Sequence, residues 1–95
     1  MTFRRIIKPV EKVYWVTDQA CTLVVHEPRN EVHRLTGIEQ VVWECLILGY
    51  GLEKVKDLIE KMGMVEADAA EQEVTSILCA WQDRHLVEIK ETKNG

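Results

Sequence analysis

The sequence predicts a small α+β domain in which a three-stranded antiparallel sheet precedes three helices. Short runs of β-branched and aromatic residues occupy the first third of the chain, and the apolar spacing then changes to that of helices. Glycines separate the helical segments. The 95 residues suffice for a single domain, and we expect its ordered core to cover about residues 10–90.

Three segments have the composition of strands. Residues 13–16, 21–27 and 31–35 are rich in β-branched or aromatic side chains, and the PRN sequence at 28–30 suits a tight turn. These features predict a first strand followed by a hairpin.

The expected register of the hairpin follows from the position of its turn. A turn centred on residues 29 and 30 places Val24 opposite Leu35 and His26 opposite His33, with all four side chains on one face. Apolar residues also occupy the other face, which predicts cover on both sides of the sheet.

Helical periodicity begins after the third strand. Residues 36–39 (TGIE) match a T-x-x-E capping box, which predicts a helix start at Thr36. Apolar residues then recur at helical spacing and predict a first helix that ends at the glycines of 49–51, and a second that ends near Gly63. A third helix is predicted from about Asp68 to Arg84, followed by a short extended tail.

Charge and hydropathy weigh against two classes of partner, nucleic acids and membranes. The net charge is −4 and the basic residues are scattered, apart from Arg4 and Arg5, which disfavours nucleic acid as a partner. No apolar run approaches the roughly 18–20 residues that cross a bilayer, and the N-terminus lacks a secretory signal. We therefore expect a cytoplasmic protein with no membrane partner. We also expect loose ends at residues 1–9 and 91–95, around a compact middle.

The cysteines and histidines do not form a pattern that indicates chemistry. Cys21, Cys45 and Cys79 are odd in number and widely spaced, which fits neither a disulfide framework nor a zinc site. His26 and His33 lack an evident third ligand. No nucleophile elbow, H-E-x-x-H or phosphate loop occurs. We expect neither catalysis, nor a cofactor, nor a metal.

Several short motifs resemble, in order and spacing, those of PqqD-like proteins. Leu35-Thr36-Gly37 precedes the V-W-E-C-L sequence of residues 42–46, and a short helix, a long helix and an apolar pair follow. The resemblance covers about residues 13–89. Thr36 and His85 depart from the pattern, because the family often has Asn at the first position and commonly Gly at the second. The second departure leaves open how the third helix ends.

This resemblance implies a RiPP recognition element with a winged-helix-like fold. Such proteins bind the leader segment of a ribosomally made precursor peptide as an added strand and deliver it to a modifying enzyme. The implied enzyme is a radical SAM protein, or a leader peptidase and cyclase as in lasso-peptide pathways. The leader would pair with the third predicted strand and lie against the third helix. The implied contact residues are Glu31, Val32, His33, Arg34, Leu35, Val74, Ile77, Trp81 and Arg84.

A structural role is an alternative for several of these residues. Ile77 and Trp81 have the spacing of core residues as well as of a groove. Arg34 and Arg84 either pair with acidic leader residues or remain solvated. Trp43 either packs beneath the sheet or contacts the partner enzyme.

Two other functions remain open. A winged-helix DNA-binding regulator would share the fold, although Asp68, Glu71 and Glu73 at the start of the third helix would repel phosphate. A homodimer would pair its own strand edges, and an edge covered by the N-terminal arm or by a second copy would need no peptide.

Overall fold

The computed structural model describes residues 2–66 and 68–94 and has an α+β architecture. The elements follow the order β1 (Thr2–Pro9), β2 (Val13–Thr17), β3 (Thr22–His26), β4 (Glu31–Leu35), α1 (Ile38–Ile47), α2 (Leu52–Lys61), α3 (Ala70–Asp83) and β5 (Val87–Asn94). The predicted order of a three-stranded antiparallel sheet and then three helices is confirmed. No helix in the described residues is long and apolar enough to cross a membrane.

The strands form two separate antiparallel sheets. One contains β2, β3 and β4 in that order, and the other pairs β1 with β5 from Thr2–Asn94 to Pro9–Val87. The prediction of loose ends at residues 1–9 and 91–95 is therefore wrong for the described residues. Burial of Ile7 and Val87 attaches this terminal ribbon to the core.

The β3–β4 hairpin has a register two residues away from the predicted one. Its loop is a 3₁₀ turn at Glu27–Arg29 followed by Asn30 in the left-handed conformation (φ 53°). Val24 therefore pairs with His33, and the predicted His26–His33 pair is wrong. Because side chains alternate along a strand, a shift of two residues leaves each side chain on its predicted face.

The core combines the inner face of the three-stranded sheet with the three helices and the ribbon. Three tryptophans link these elements, because Trp43 of α1 makes edge-to-face contacts with Trp15 of β2 (5.6 Å between ring centroids) and with Trp81 of α3 (5.3 Å). The largest fully buried side chains are Trp43, Trp81, Leu35, Ile59, Leu86, Val24, Val42, Val55, Val74 and Thr22.

Gly37 makes the transition from β4 to α1. It is the N-cap residue, with φ 59° and ψ −127°, and no side chain bonds to the first amides of the helix. The predicted capping box at Thr36 is therefore wrong, and the helix begins at Ile38. A β-carbon at Gly37 would meet no atom within 4 Å, so the positive φ is what favours glycine here.

The three helices end with the same geometry. Gly49, Gly63 and His85 follow the C-cap residues with φ of 84°, 72° and 60°. The amide of the next residue donates to the carbonyl five residues earlier, at 3.0, 3.1 and 2.9 Å respectively, as in a Schellman motif. His85 thus adopts the conformation that a glycine would favour, and its departure from the family pattern leaves the end of α3 regular.

Asp18 closes the turn between β2 and β3. Its Oδ1 atom accepts the amide of Ala20 at 2.7 Å and that of Cys21 at 2.9 Å. The bond from Cys21, then that from Ala20, holds the pKa of the Asp18 carboxyl below its usual value, and the charge of Arg34 contributes less.

We expect Asp18→Ala to lower the Tm at neutral pH, because two turn amides lose their acceptor. The pKa of Asp18 is lower in the folded chain than in the unfolded chain, so the carboxylate stabilises the fold above a pH of about 4. This stabilisation is lost as the pH falls through the folded-state pKa. Thermal unfolding should therefore show a Tm difference between the two proteins that shrinks in acid.

Asp18→Asn is the control, since it keeps an acceptor oxygen but cannot ionise. Its Tm should lie above that of the Ala variant at neutral pH. A Tm difference between wild type and the Ala variant that stays constant down to a pH of about 2 would contradict this role of the carboxylate.

Candidate functional site

The outer edge of β4 carries unpaired backbone groups. β4 is a terminal strand of its sheet, and among the described residues it pairs only with β3. The amide of Asp18 donates to the carbonyl of Cys21 (3.0 Å), so odd-numbered residues of β3 bond to β2 and even-numbered residues bond to β4. By the same alternation, the amides and carbonyls of Val32 and Arg34 point away from the sheet.

The side chains of β4 divide between the two faces of the sheet. Glu31, His33 and Leu35 share the inner face with the core, where Leu35 is buried, His33 is partly buried and Glu31 is exposed. Val32 and Arg34 lie on the outer face, and both are exposed. An added strand would therefore meet free backbone groups, with β4 side chains above and below them.

The two histidines of this sheet have different surroundings. His26 is buried, and its Nδ1 accepts the amide of Arg29 at 3.2 Å. The Nε2 atom of His33 is buried without a hydrogen-bond partner and lies 3.7 Å from Oε1 of Glu31. Across residues 2–66 and 68–94, no three His, Cys, Asp or Glu side chains are grouped so that they could hold a metal ion.

The predicted contact residues of α3 differ in accessibility. Val74 and Trp81 are buried, and Ile77 is partly buried against the core. Arg84, at the C-cap, is exposed. Trp81 therefore has the core position, which is one of the two roles that its spacing allowed. Of these four residues, Arg84 is the exposed one.

Trp43 also has a core position. It is fully buried between Trp15 and Trp81, which places it beneath the sheet rather than on a surface. The Nε1 atoms of Trp43 and Trp81 have no hydrogen-bond partner, so the apolar contacts of both rings must offset this cost.

The start of α3 is acidic and joined to α2. Glu71 and Glu73 lie in its exposed first turn. Nζ of Lys56 in α2 lies 2.9 Å from Oε1 of Glu53 and 4.0 Å from Oε2 of Glu71, and the hydrogen bond that Lys56 donates to Glu53 is the main cause of the raised pKa of Lys56. A helix start of this charge would repel nucleic-acid phosphates.

The cysteines occupy two kinds of environment. Cys21 and Cys45 are buried, whereas Cys79 is exposed on α3. Burial, and secondarily the charge of Glu44, raises the pKa of the Cys45 thiol. Because the thiolate is the reactive form, Cys45 is kept unreactive.

Sequence analysis did not identify two further surfaces of the three-stranded sheet. The outer face exposes Tyr14, Val16, Leu23 and Val32, so the prediction of cover on both faces is wrong for this face within the described residues. The opposite edge strand, β2, borders a cavity lined by Trp15, Thr17, Glu44, Ile47 and Leu48. Apolar residues on both faces of the predicted strands were the sequence signal for these surfaces. That pattern does not determine which face of the sheet the helices cover.

The chain matches no protein-family model, and no curated protein matches it. Two solved structures share its fold. TbiB1 in complex with the TbiA(beta) leader peptide has a TM-score of 0.80 and 20% identity, covering 85% of this chain and 94% of that one. A lasso peptide synthetase B1 complexed with the leader peptide has a TM-score of 0.81 and 11% identity, covering 87% and 98%. At these identities the similarity establishes the fold.

The burial of Trp81 leads to a prediction about stability. We expect Trp81→Ala to lower the free energy of unfolding by about 3–5 kcal/mol, because it leaves a cavity beside Trp43. Trp81→Phe keeps an aromatic ring and should lose less. Urea denaturation measures both, and a loss below about 1 kcal/mol for the Ala variant would contradict a core position.

Proposed function

We propose that this chain is a stand-alone RiPP recognition element. It binds the leader segment of a ribosomally synthesised precursor peptide by strand addition to β4 and presents the peptide to a modifying enzyme. The observation that carries the proposal is the open edge of β4 at Val32 and Arg34, in a fold shared with two proteins solved with leader peptides. The resemblance of residues 13–89 to PqqD-like proteins supports the same role.

Different residues of the predicted site would make different kinds of contact with the leader. Val32 and Arg34 provide main-chain partners, and the exposed guanidinium groups of Arg34 and Arg84 are available to acidic residues of the leader. Glu31, His33 and the accessible part of Ile77 provide further contacts. The remaining residues of the predicted site are buried in the core and would act by supporting the surface that the leader contacts, namely Leu35, Val74 and Trp81.

Main-chain pairing alone is too weak for a specific complex. Two outward-facing residues offer up to four hydrogen bonds, worth about 4 kcal/mol together at about 1 kcal/mol each. A micromolar complex requires about 8 kcal/mol. Side-chain contacts must therefore supply at least half of the affinity, because they must also offset the entropy lost on association, and these contacts would select the leader.

The proposed role is non-catalytic and needs no cofactor. The modifying enzyme would be a radical SAM protein, or a leader peptidase acting with a cyclase, in the cytoplasm. The whole chain would act as one domain, either as a monomer or as a homodimer. Glu71 and Glu73 at the start of α3 weigh against the alternative of a DNA-binding regulator.

The first test is a titration with the N-terminal half of a candidate precursor peptide, chosen from short reading frames that flank this gene. We expect micromolar or tighter binding, with backbone NMR shifts concentrated at Glu31–Leu35 and along α3. A shuffled peptide of the same composition is the control. No binding at high micromolar concentrations, or shifts concentrated on β2, would contradict the proposal.

The second test changes the backbone at the edge. Val32→Pro removes an amide that points away from the sheet, so it should weaken leader binding by roughly tenfold without unfolding an edge strand. Val32→Thr keeps the amide and should bind like wild type. Fluorescence anisotropy with a labelled leader gives both dissociation constants.

Thr17→Pro is the matched control on the opposite edge of the sheet. The amide of Thr17 also points outward by the alternation of bonds in β2. Its loss should leave leader binding unchanged. Equal weakening by Thr17→Pro, or unchanged binding by Val32→Pro, would place the peptide elsewhere.

A further inference from the structure

The inner face of β4 contains a buried polar atom without a partner. The side chain of His33 is 17% exposed, and its Nε2 atom makes no hydrogen bond. Oε1 of Glu31 lies 3.7 Å away, which is beyond hydrogen-bond distance. Unbonded buried polar atoms are rare in folded proteins because they lose their hydration without compensation.

The sheet offers no partner to this atom. The cross-strand neighbour of His33 is Val24, which is fully buried and apolar. Leu35, two residues along the same face, is also buried and apolar. No described strand follows β4 in this sheet, so the side of His33 away from Val24 is the edge at which we propose that the leader adds.

Strand geometry places a leader residue beside this imidazole. The backbone of His33 bonds inward to β3, whereas Val32 and Arg34 bond outward. In an antiparallel added strand, the residue opposite His33 therefore belongs to a non-hydrogen-bonded pair. Such pairs have the closest approach, with about 4.5 Å between Cα atoms. The side chain of that residue projects onto the same inner face as His33.

We infer that His33 determines specificity for the leader, with its Nε2 donating a hydrogen bond to an oxygen of the leader side chain opposite it. This inference rests on the proposed function. The carboxylate of Glu31, 3.7 Å from Nε2, favours the tautomer that carries hydrogen on Nε2. The complementary leader side chain is therefore an acceptor, such as a hydroxyl, a carboxamide or a carboxylate.

The same geometry selects against apolar residues at that leader position. An apolar side chain opposite His33 would leave Nε2 buried without a hydrogen-bond partner, as it is in the free chain, whereas an acceptor would supply the missing bond. A site built to make a hydrogen bond discriminates strongly against a ligand that lacks the bonding group, because its own polar atom is then left unpaired.

The test compares variants of His33 with the same precursor-derived leader peptide. His33→Leu should weaken binding by about tenfold, the effect of one buried hydrogen bond. His33→Gln can place an amide donor near the position of Nε2 and should bind within about threefold of wild type. Val16→Leu, an apolar change at an exposed residue on the outer face of β2, is the matched control and should leave affinity unchanged.

A double-mutant cycle identifies the leader residue. Each polar residue of the leader is replaced by Ala and titrated against wild type and against His33→Leu. One leader position should lose about tenfold in affinity with wild type and almost nothing with the variant. The Tm of each variant, measured in parallel, shows whether the fold is intact.

The outcomes separate this inference from the proposed function. If wild type binds the leader but His33→Leu binds it equally well, or if all leader substitutions are additive with His33→Leu, the role of His33 is overturned and the proposed function stands. If wild type does not bind the leader, both are overturned.

Discussion

The edge-to-face contacts of Trp15, Trp43 and Trp81 hold the sheet and the helices together. Trp43 lies at the centre, 5.6 Å from Trp15 and 5.3 Å from Trp81, and so joins β2, α1 and α3. Two of these rings bury an indole N–H without a partner, which is unfavourable by itself. The large apolar area of the rings and their mutual geometry offset that cost. The helices are thereby packed on one face of the sheet, and the other face stays exposed.

The pairing of β1 with β5 also affects the three-stranded sheet. β1 and β5 pair with each other and form a separate ribbon, so neither of them extends the three-stranded sheet. Both edges of that sheet consequently keep backbone groups without a strand partner in the described residues. Unprotected edges favour association with other strands, and proteins usually cover or interrupt them. A peptide that occupies one edge as part of its function is consistent with this arrangement.

Main-chain pairing and side-chain contacts contribute differently to such a complex. The backbone of Val32 and Arg34 would accept any extended peptide, because amides and carbonyls are common to all sequences. The groups able to discriminate are the buried Nε2 of His33 and the exposed guanidinium groups of Arg34 and Arg84. Two of these three groups belong to β4, so affinity and selectivity would depend on the same strand.

Local patterns in the sequence determined the elements and the faces of their side chains. The α+β order, the strand at Glu31–Leu35 and the inner position of His33 follow from periodicities of two and 3.6 residues, which involve only neighbours in the chain. The tertiary structure decided the rest. The hairpin register depended on a 3₁₀ turn, and the start of α1 on the positive φ of Gly37.

The pairing of Thr2 with Asn94 and the burial of Trp81 depend on contacts between segments that are distant in sequence. No local pattern distinguishes a core tryptophan from one that lines a groove, because both have the same helical spacing. The sequence therefore determined the strand at Glu31–Leu35 and the face of each of its side chains. Only the packing of the helices and the ribbon left its edge open and the Nε2 atom of His33 without a partner.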